Sequence, residues 1–172
     1  MITIRQMSKD QVHRLGELDV SESGDMVYKW TEGRVEATHQ EWHRPRWNAA
    51  AIRQHSEMVT NALARGGVML GALDGELLVG FAALRYKLTD DMAQLAGLWV
   101  SRDYRRHKVA AGLVQEIVRL AKENGARALY VSATPSRSAV GFYQSQGFQP
   151  TRQVNQELYE LEPEDIHMIK EL

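Results

Sequence analysis

Four basic residues, Arg105, Arg106, His107 and Lys108, stand directly before a stretch whose apolar residues recur at helical spacing from Val109 to Asn124. Helices usually begin with a Ser, Thr, Asp or Asn cap and acidic residues, because their first backbone N–H groups lack partners and that end of the dipole is positive. This segment has neither. A bound anion would satisfy the free amides, the dipole and the basic side chains together, so the stretch predicts an anion site; a solvated surface cluster is the alternative.

A second motif follows about thirty residues later, in the segment SAVGFYQSQGF at residues 138–148. The two motifs resemble the acetyl-CoA-binding signature of the GNAT superfamily of N-acetyltransferases. The first matches through Val100, Tyr104-Arg105, the run from Arg105 to Ala110, and Leu113; the second matches through Ala139, Phe142, Tyr143, Gly147 and Phe148. The order of strands and helices agrees with that family over about residues 1–161.

The resemblance implies a cofactor site and two catalytic groups. Leu98 would offer its backbone N–H to the thioester oxygen at a strand bulge marked by Gly97, and Tyr143 would be the general acid to the sulfur. The implied cofactor-binding residues are Leu98, Trp99, Val100, Arg105, Arg106, His107, Lys108, Val109, Ala110, Ala111, Ser136, Ala139, Phe142 and Tyr143. By resemblance, residues 98–100 would also pair with the pantetheine amides like an added strand.

Three positions depart from the family pattern. Lys108 stands where the phosphate loop usually has its first glycine; it would either keep helical dihedrals with its amine on a phosphate, or weaken cofactor binding. Ser136 replaces a frequent Asn near the pantetheine arm. Gln94 occupies the place where many relatives carry a glutamate base, and an amide cannot take a proton.

The chemistry of such a site needs a neutral amine, a donor to the developing oxyanion and a proton for the leaving thiolate. Because a lysine-type amine has a pKa of about 10.4, a base is required. Asp90 and Asp91 fit a turn better than a site. Glu32, Glu36 and Glu41 are candidates that the sequence does not rank, and a water relay stays open.

The segment from Val27 to Trp47 is the predicted acceptor region, because it is long for a loop and rich in Trp and carboxylates, which suit a cationic amine. His39 and His43 are one helical turn apart, but no third ligand is evident, so no metal is predicted. The candidate acceptor residues are Trp30, Glu32, Glu41, Trp42 and Gln94.

Composition frames these expectations. The chain has 172 residues, a net charge of -1 and no cysteine. Its length predicts a single domain over residues 1–172, with a tail at 162–172. The near-neutral charge argues against nucleic acid, and no apolar run reaches the length of a bilayer span, so no membrane association is predicted. Without a signal-peptide core at its start, the chain is predicted to be cytoplasmic.

The pattern of elements predicts an α/β fold with a mixed, mostly antiparallel sheet of about six to seven strands flanked by helices. The sequence predicts a helix opened by a capping box at Ser8 and Gln11, a helix capped by Asn48, and a hairpin at Asp74-Gly75. Residues 20–47 are predicted to be irregular. The predicted strands are 2–7, 68–73, 76–86, 92–100, 128–134, 148–154 and 156–161, and a short helix is predicted over 135–146.

Three functions remain open at this point. The first is transfer of an acetyl group from acetyl-CoA to the primary amine of a small molecule, by direct attack in a ternary complex. The second is acetylation of a protein N-terminus or lysine, or of charged tRNA. The third is a non-catalytic acyl-CoA-binding protein, favoured by the departures at Lys108 and Gln94. A homodimer also stays open, with the tail 162–172 as a helix that packs on a second subunit.

Overall fold

Nine strands and four α-helices make up the chain, and the computed structural model describes all of residues 1–172. The strands are β1 (Ile2–Met7), β2 (Glu22–Thr31), β3 (Arg34–Arg44), β4 (Gly67–Asp74), β5 (Leu77–Arg85), β6 (Met92–Val100), β7 (Ala128–Ala133), β8 (Gln149–Pro150) and β9 (Ile166–Glu171). The helices are α1 (Ala49–Ala64), α2 (Val109–Glu123), α3 (Arg137–Ser145) and α4 (Gln156–Leu161), and short 3₁₀ helices cover Lys9–Glu17 and Arg102–Tyr104.

Seven of the strands form one sheet in the order β1-β4-β5-β6-β7-β9-β8. Neighbouring strands are antiparallel everywhere except between β6 and β7, which run parallel. This confirms the predicted mixed, mostly antiparallel sheet flanked by helices. None of the helices combines the length and the apolar composition that a membrane crossing would need.

The core lies on both faces of this sheet, with β5 between its two halves. The adjacent residues Phe81 and Ala82 of β5 are fully buried in different clusters, as a strand with two apolar faces requires. One cluster includes Leu113 of α2, and the other includes Val59 of α1. The sheet therefore holds α2 and α1 on opposite sides.

Local signals fix several boundaries as predicted. The Gln11 side chain accepts from the Ser8 N–H at 3.0 Å, although the segment that follows is a 3₁₀ helix and not an α-helix. Asn48 caps α1 by accepting from the Ala51 N–H at 2.9 Å. Gly75, with φ of 59°, closes the hairpin between β4 and β5 in the left-handed region that favours glycine.

The prediction of irregular structure over residues 20–47 is wrong. Strands β2 and β3 form a long hairpin there, which makes its own two-stranded sheet. The turn is at Glu32-Gly33, where φ is 49° and 86°. Polar and charged side chains stand on both faces of this exposed hairpin, so the apolar alternation that reveals a half-buried strand is missing. The Tyr28 N–H donates to the Pro135 carbonyl at 2.9 Å, which ties the hairpin to the start of α3.

The C-terminal predictions are wrong in three places. The strand expected over 148–154 is only the two residues of β8, and the strand expected over 156–161 is the helix α4. Asn155 causes the second difference, because its side chain caps α4 by accepting from the Leu158 N–H at 3.1 Å. The tail is not a helix available to a second subunit: β9 lies inside the sheet, between β7 and β8, where Ile166 and Met168 are buried.

Candidate active site

A cleft opens where β6 and β7 separate. The two strands pair only from Met92–Ala128 to Gln94–Tyr130, and beyond those residues β6 has no neighbour on that side. A cavity of about 820 Å³ fills the gap, bounded by the second half of β6, the start of α2, α3 and the turn before β9. In a parallel pair of strands the backbone N–H and C=O groups bond to the neighbouring strand. Because β6 and β7 separate here, these groups on the free edge of β6 are available to a ligand.

A bulge in β6 lies at the mouth of the cleft. Gly97 pairs with Ala83 and Leu95 with Leu84, so Ala96 is the extra residue. This confirms the predicted bulge at Gly97. After it, Leu98, Trp99 and Val100 pair with β5 on one side and line the cavity on the other.

The loop before α2 has an unusual backbone. Arg106 and Lys108 have φ of 65° and 61°, whereas His107 between them does not have a positive φ. Lys108 therefore does not keep helical dihedrals, one of the two expectations for it; it is the N-cap of α2 in the left-handed region. Dihedrals that alternate in this way turn successive N–H groups toward one side, a geometry that binds anions.

No side chain caps α2, so the first-turn amides at residues 109–111 have no partner from a capping group. Among the basic residues, Arg105, Arg106 and Lys108 line the cavity, and His107 does not. Arg105 is anchored, with its Nε donating to the Val100 carbonyl at 3.3 Å. An uncapped helix start and the left-handed turns thus face the same cavity.

Helix α3 forms the facing wall. Ser136 caps it by accepting from the Ala139 N–H at 3.2 Å and is itself buried. Ala139, Phe142 and Tyr143 line the cavity because residues three and four apart share a helix face. Tyr143 is packed against Phe142 and Phe148, with ring centroids 5.4 Å apart in each pair.

The Tyr143 hydroxyl is placed to stay protonated. The residue is 7% exposed, and its hydroxyl makes no hydrogen bond within the protein. Burial raises its pKa, and the negative charges of Asp165 and Glu162 raise it further. At neutral pH the hydroxyl is therefore protonated, and it can donate a hydrogen bond that no protein atom accepts.

Two carboxyl groups that the sequence analysis did not select line the same cavity, Glu162 and Asp165. They stand on the turn between α4 and β9, where the Asp165 N–H donates to the Glu162 carbonyl at 3.2 Å. Burial, and then the charge of Glu162, raises the pKa of Asp165 to about 7. Burial also raises the pKa of Glu162. No local motif marks them, because only the placement of β9 brings them to the cleft.

A buried hydrogen-bond chain holds that turn in place. His167 donates from Nε2 to the Glu162 carbonyl at 3.0 Å, since a carbonyl can only accept. Its Nδ1 therefore accepts, at 2.7 Å, from the Tyr130 hydroxyl, which in turn accepts from the Asn155 N–H at 3.1 Å. Burial lowers the pKa of His167, which favours this neutral form.

The opposite wall of the cavity comes from the base of the hairpin and from α1. Glu22 pairs with Arg44 at 2.7 Å, and both line the cavity with His55. His55 stacks on Trp47 with ring centroids 4.2 Å apart and meets the edge of Trp99. Burial, and then the charge of Arg44, lowers the pKa of His55. This wall is therefore aromatic, and its charged residues Glu22 and Arg44 neutralise each other.

The predicted acceptor residues divide into two groups. Gln94 lines the cavity and is buried. Trp30, Glu32, Glu41 and Trp42 do not line it, because the hairpin carries them away from the cleft. Glu41 and Trp42 border a separate, open depression, where Trp42 donates to the Met26 carbonyl at 3.1 Å.

The remaining acidic candidates also lie elsewhere. Glu36 forms an ion pair with Arg34 at 3.0 Å. Asp90 and Asp91 stand in the turn before β6. His39 and His43 belong to no group of three or more metal-ligating side chains. The structure thus brings together the predicted cofactor residues other than His107, and it adds Glu162 and Asp165.

Comparisons with known proteins were made for the family and for the fold. Residues 25–148 match the model described as the acetyltransferase (GNAT) family. Among proteins with curated functions, none gives a significant sequence match.

Solved structures share the fold at low sequence identity. Nourseothricin acetyltransferase is 18% identical with a TM-score of 0.76, over 99% of this chain and 98% of that one. A putative streptothricin acetyltransferase from Bacillus anthracis str. Ames, in complex with acetyl coenzyme A, is 16% identical with a TM-score of 0.73, over 100% and 99%. The ribosomal-protein-S18-alanine N-acetyltransferase from Escherichia coli is 14% identical with a TM-score of 0.64, over 99% and 94%.

Proposed function

Because the chain belongs to the acetyltransferase (GNAT) family, and is thus an acyltransferase, we propose that it transfers an acetyl group from acetyl-CoA to the primary amine of a small molecule. The observation that carries the proposal is the convergence, on one cavity, of the open edge of β6, the uncapped start of α2 and the Tyr143 hydroxyl. These features supply an edge for an extended amide-bearing chain, a site for a diphosphate and a proton donor.

The roles in the reaction follow from what each group can do. Amides of the first turn of α2, with Arg105 and Arg106, bind the diphosphate of the cofactor. The open edge of residues 98–100 pairs with its pantetheine arm, and the Leu98 N–H stabilises the oxyanion formed when the amine attacks the thioester carbon. Tyr143 donates a proton to the sulfur as it leaves. Both substrates are bound together, so transfer is direct.

A small-molecule acceptor is supported by the fold neighbours. The two with TM-scores of 0.76 and 0.73 are nourseothricin acetyltransferase and a putative streptothricin acetyltransferase, whereas the ribosomal-protein-S18-alanine N-acetyltransferase has 0.64. A peptide N-terminus is the alternative acceptor, and a panel of amines separates the two. The panel contains nourseothricin, spermidine and a peptide that begins with alanine, with thiol release and product mass as readouts.

Cofactor binding is tested without any acceptor. Coenzyme A at 100 times its Kd should stabilise the native state by about 2.7 kcal/mol, which in a chain of this size raises Tm by roughly 5–10 °C. Arg106→Ala should reduce the shift. Lys122→Ala, at the other end of α2, is the matched control and should not. The absence of any shift in the parent at saturating coenzyme A would remove the cofactor assignment.

A further inference from the structure

Glu162 and Asp165 are partly buried carboxyl groups for which the protein supplies no cation. No Lys, Arg or His side chain lies within ion-pair distance of either one. By contrast Glu22, on the opposite wall, is neutralised by Arg44. An uncompensated buried carboxylate is costly, so two of them on one cavity wall leave room for a cation that comes from outside.

Two other polar side chains next to the pair also lack partners. Tyr143 and Gln94 are 7% and 8% exposed, and neither side chain makes a hydrogen bond within the protein. Both line the cavity with the pair. The charges of Asp165 and Glu162 raise the Tyr143 pKa, and all three side chains line the same cavity. Buried polar groups are normally paired, so this cluster presents free donors and acceptors to a polar ligand in the cavity.

The turn that carries the pair is held from two sides. His167 and the turn's own amide at Asp165 both donate to the Glu162 carbonyl. Helix α4, directly before it, is fixed by Glu157, which bonds to Arg85 at 3.2 Å and also pairs with Arg65. Such anchoring keeps two like charges together that would otherwise separate.

We propose that Glu162 and Asp165 bind the acceptor amine as its ammonium ion and that Asp165 removes the proton which the amine must lose before it attacks. The inference rests on the proposed function. It assigns the role of general base to Asp165, because the Gln94 side chain cannot take a proton. A carboxyl group whose pKa lies near 7 is matched to proton removal at neutral pH. Tyr143 from α3 is the titratable group that lines the cavity beside the pair, and His167 from β9 bonds to the backbone carbonyl of Glu162.

The proton and bond changes balance as follows. The ammonium gives one proton to Asp165 and becomes a neutral amine. Its nitrogen attacks the carbonyl carbon; the C–N bond forms, the C–S bond breaks, and the sulfur leaves with the electron pair and takes the Tyr143 proton. The nitrogen then loses its second proton, which balances the one taken by sulfur and restores the Tyr143 hydroxyl.

Asp165→Asn, Glu162→Gln and the double variant test the proposal, with Glu164→Gln as the matched control because Glu164 is exposed on the same turn and does not line the cavity. Coenzyme A release is followed from pH 6 to 10 with nourseothricin and spermidine as probes. Asp165→Asn should lower kcat/KM at pH 7 by at least about tenfold, the loss shrinking toward pH 10 as the free amine deprotonates unaided. Coenzyme A affinity should not change.

A kcat/KM at pH 7 equal to that of the parent in Asp165→Asn overturns the proposal, and so does a loss of the same size at every pH, which indicates a structural role. A parent that binds coenzyme A but acetylates no amine contradicts the proposed function instead. The pair is then tested by titrating spermidine calorimetrically into the coenzyme A complex. Binding kept in Glu164→Gln and lost in the double variant supports the pair; binding indifferent to the carboxyls, or absent, refutes it.

Discussion

Lys108 is the residue of the site whose backbone is least suited to its side chain. It has φ of 61° and ψ of 12°, where a residue with a Cβ is strained by about 1–2 kcal/mol and glycine is not. Its side chain is exposed, so packing does not compensate. The left-handed backbone explains why glycine is usual at this position, and the lysine keeps that backbone conformation.

The variants Lys108→Gly and Lys108→Ala separate strain from charge. Both delete the amine, but only glycine deletes the Cβ. We expect the glycine variant to be more stable than the alanine variant by about 0.5–1 kcal/mol in urea unfolding. The glycine variant should also bind coenzyme A at least as tightly as the alanine variant. If both variants bind it more weakly than the parent, the amine contacts phosphate. Equal stability of the two variants would contradict the strained backbone.

Tyr143→Phe deletes a hydroxyl that makes no hydrogen bond within the protein. The ring keeps its contacts with Phe142 and Phe148, so stability should change little. As general acid its loss should lower kcat and kcat/KM together by at least about tenfold, with coenzyme A affinity unchanged. Tyr159→Phe, at an exposed tyrosine, is the control. A Tyr143→Phe enzyme as fast as the parent leaves Tyr143 as a packed aromatic only.

At this scale the sequence predicts residues that sit in contiguous motifs and misses the others. Tyr143 and the Arg105–Ala111 loop are found because helix and loop bring neighbours in sequence together. Asp165 is far from them in sequence and reaches the cleft only through the pairing of β9 with β7. Neither composition nor spacing in the segment EPED records that pairing.

Among the elements, α2 depends on one small residue beneath its first turn. A Cβ added at Gly80 of β5 would lie 2.8 Å from Cγ1 of Val109 and 3.2 Å from Cδ1 of Leu113. Because cores are close-packed, α2 would have to move away from the sheet. The position of the proposed diphosphate site is therefore set partly by the absence of a side chain in a neighbouring strand.

Gly80→Ala should lower the free energy of unfolding by about 1–3 kcal/mol and weaken coenzyme A binding, as both the packing and the start of α2 shift. Gly141→Ala on α3 is the control, since its Cβ meets nothing within 4 Å and helix propensity favours alanine by roughly 1 kcal/mol. Thermal melts with and without coenzyme A measure both effects. Unchanged affinity in Gly80→Ala would separate the site from this packing.

The strands with long apolar runs were predicted, whereas the exposed hairpin and the elements of the C-terminal third were missed. The strands β4, β5 and β6 follow from apolar runs and the Asp74-Gly75 turn. The hairpin of β2 and β3 is exposed, so its sequence carries no period. The segment QELYEL is helical because Asn155 caps it, and its Leu158 and Leu161 are three residues apart, a helical spacing that the strand prediction overlooked.

For the molecule as a whole, Asp165 couples stability to pH. Its pKa of about 7 in the folded state is far above the ordinary 3.8, so the folded state holds a proton that the unfolded chain releases. The stability that this proton gives is present below the ordinary pKa and is lost as pH rises through 7. A buried, unpaired carboxylate then remains at alkaline pH.

Asp165→Asn removes this loss. The Tm of the variant minus that of the parent should be more positive at pH 8 than at pH 5, by a few degrees. His167, whose lowered pKa acts in the opposite direction, is common to both proteins and cancels in the comparison. Glu164→Gln should show no such pH dependence. A difference that is constant with pH would mean that the carboxyl is solvated. Higher stability with lower activity would mark the group as functional.

The fold class follows from the sequence, but the topology of its last third does not. Which strands pair across long separations depends on the whole sheet, and the tail carries a buried His167 that disguises an internal strand.

The placement of β9 between β7 and β8 has a consequence for how the protein is made. Chains emerge from the ribosome N-terminus first, and domains fold as they appear. Here β8 cannot join the sheet until residues 166–171 have left the ribosome, because β8 pairs with no strand other than β9. The turn with Glu162 and Asp165 is fixed in the same event. A nascent chain can thus form the loop before α2 early, whereas Asp165, the proposed proton acceptor, takes its place only once β9 has emerged.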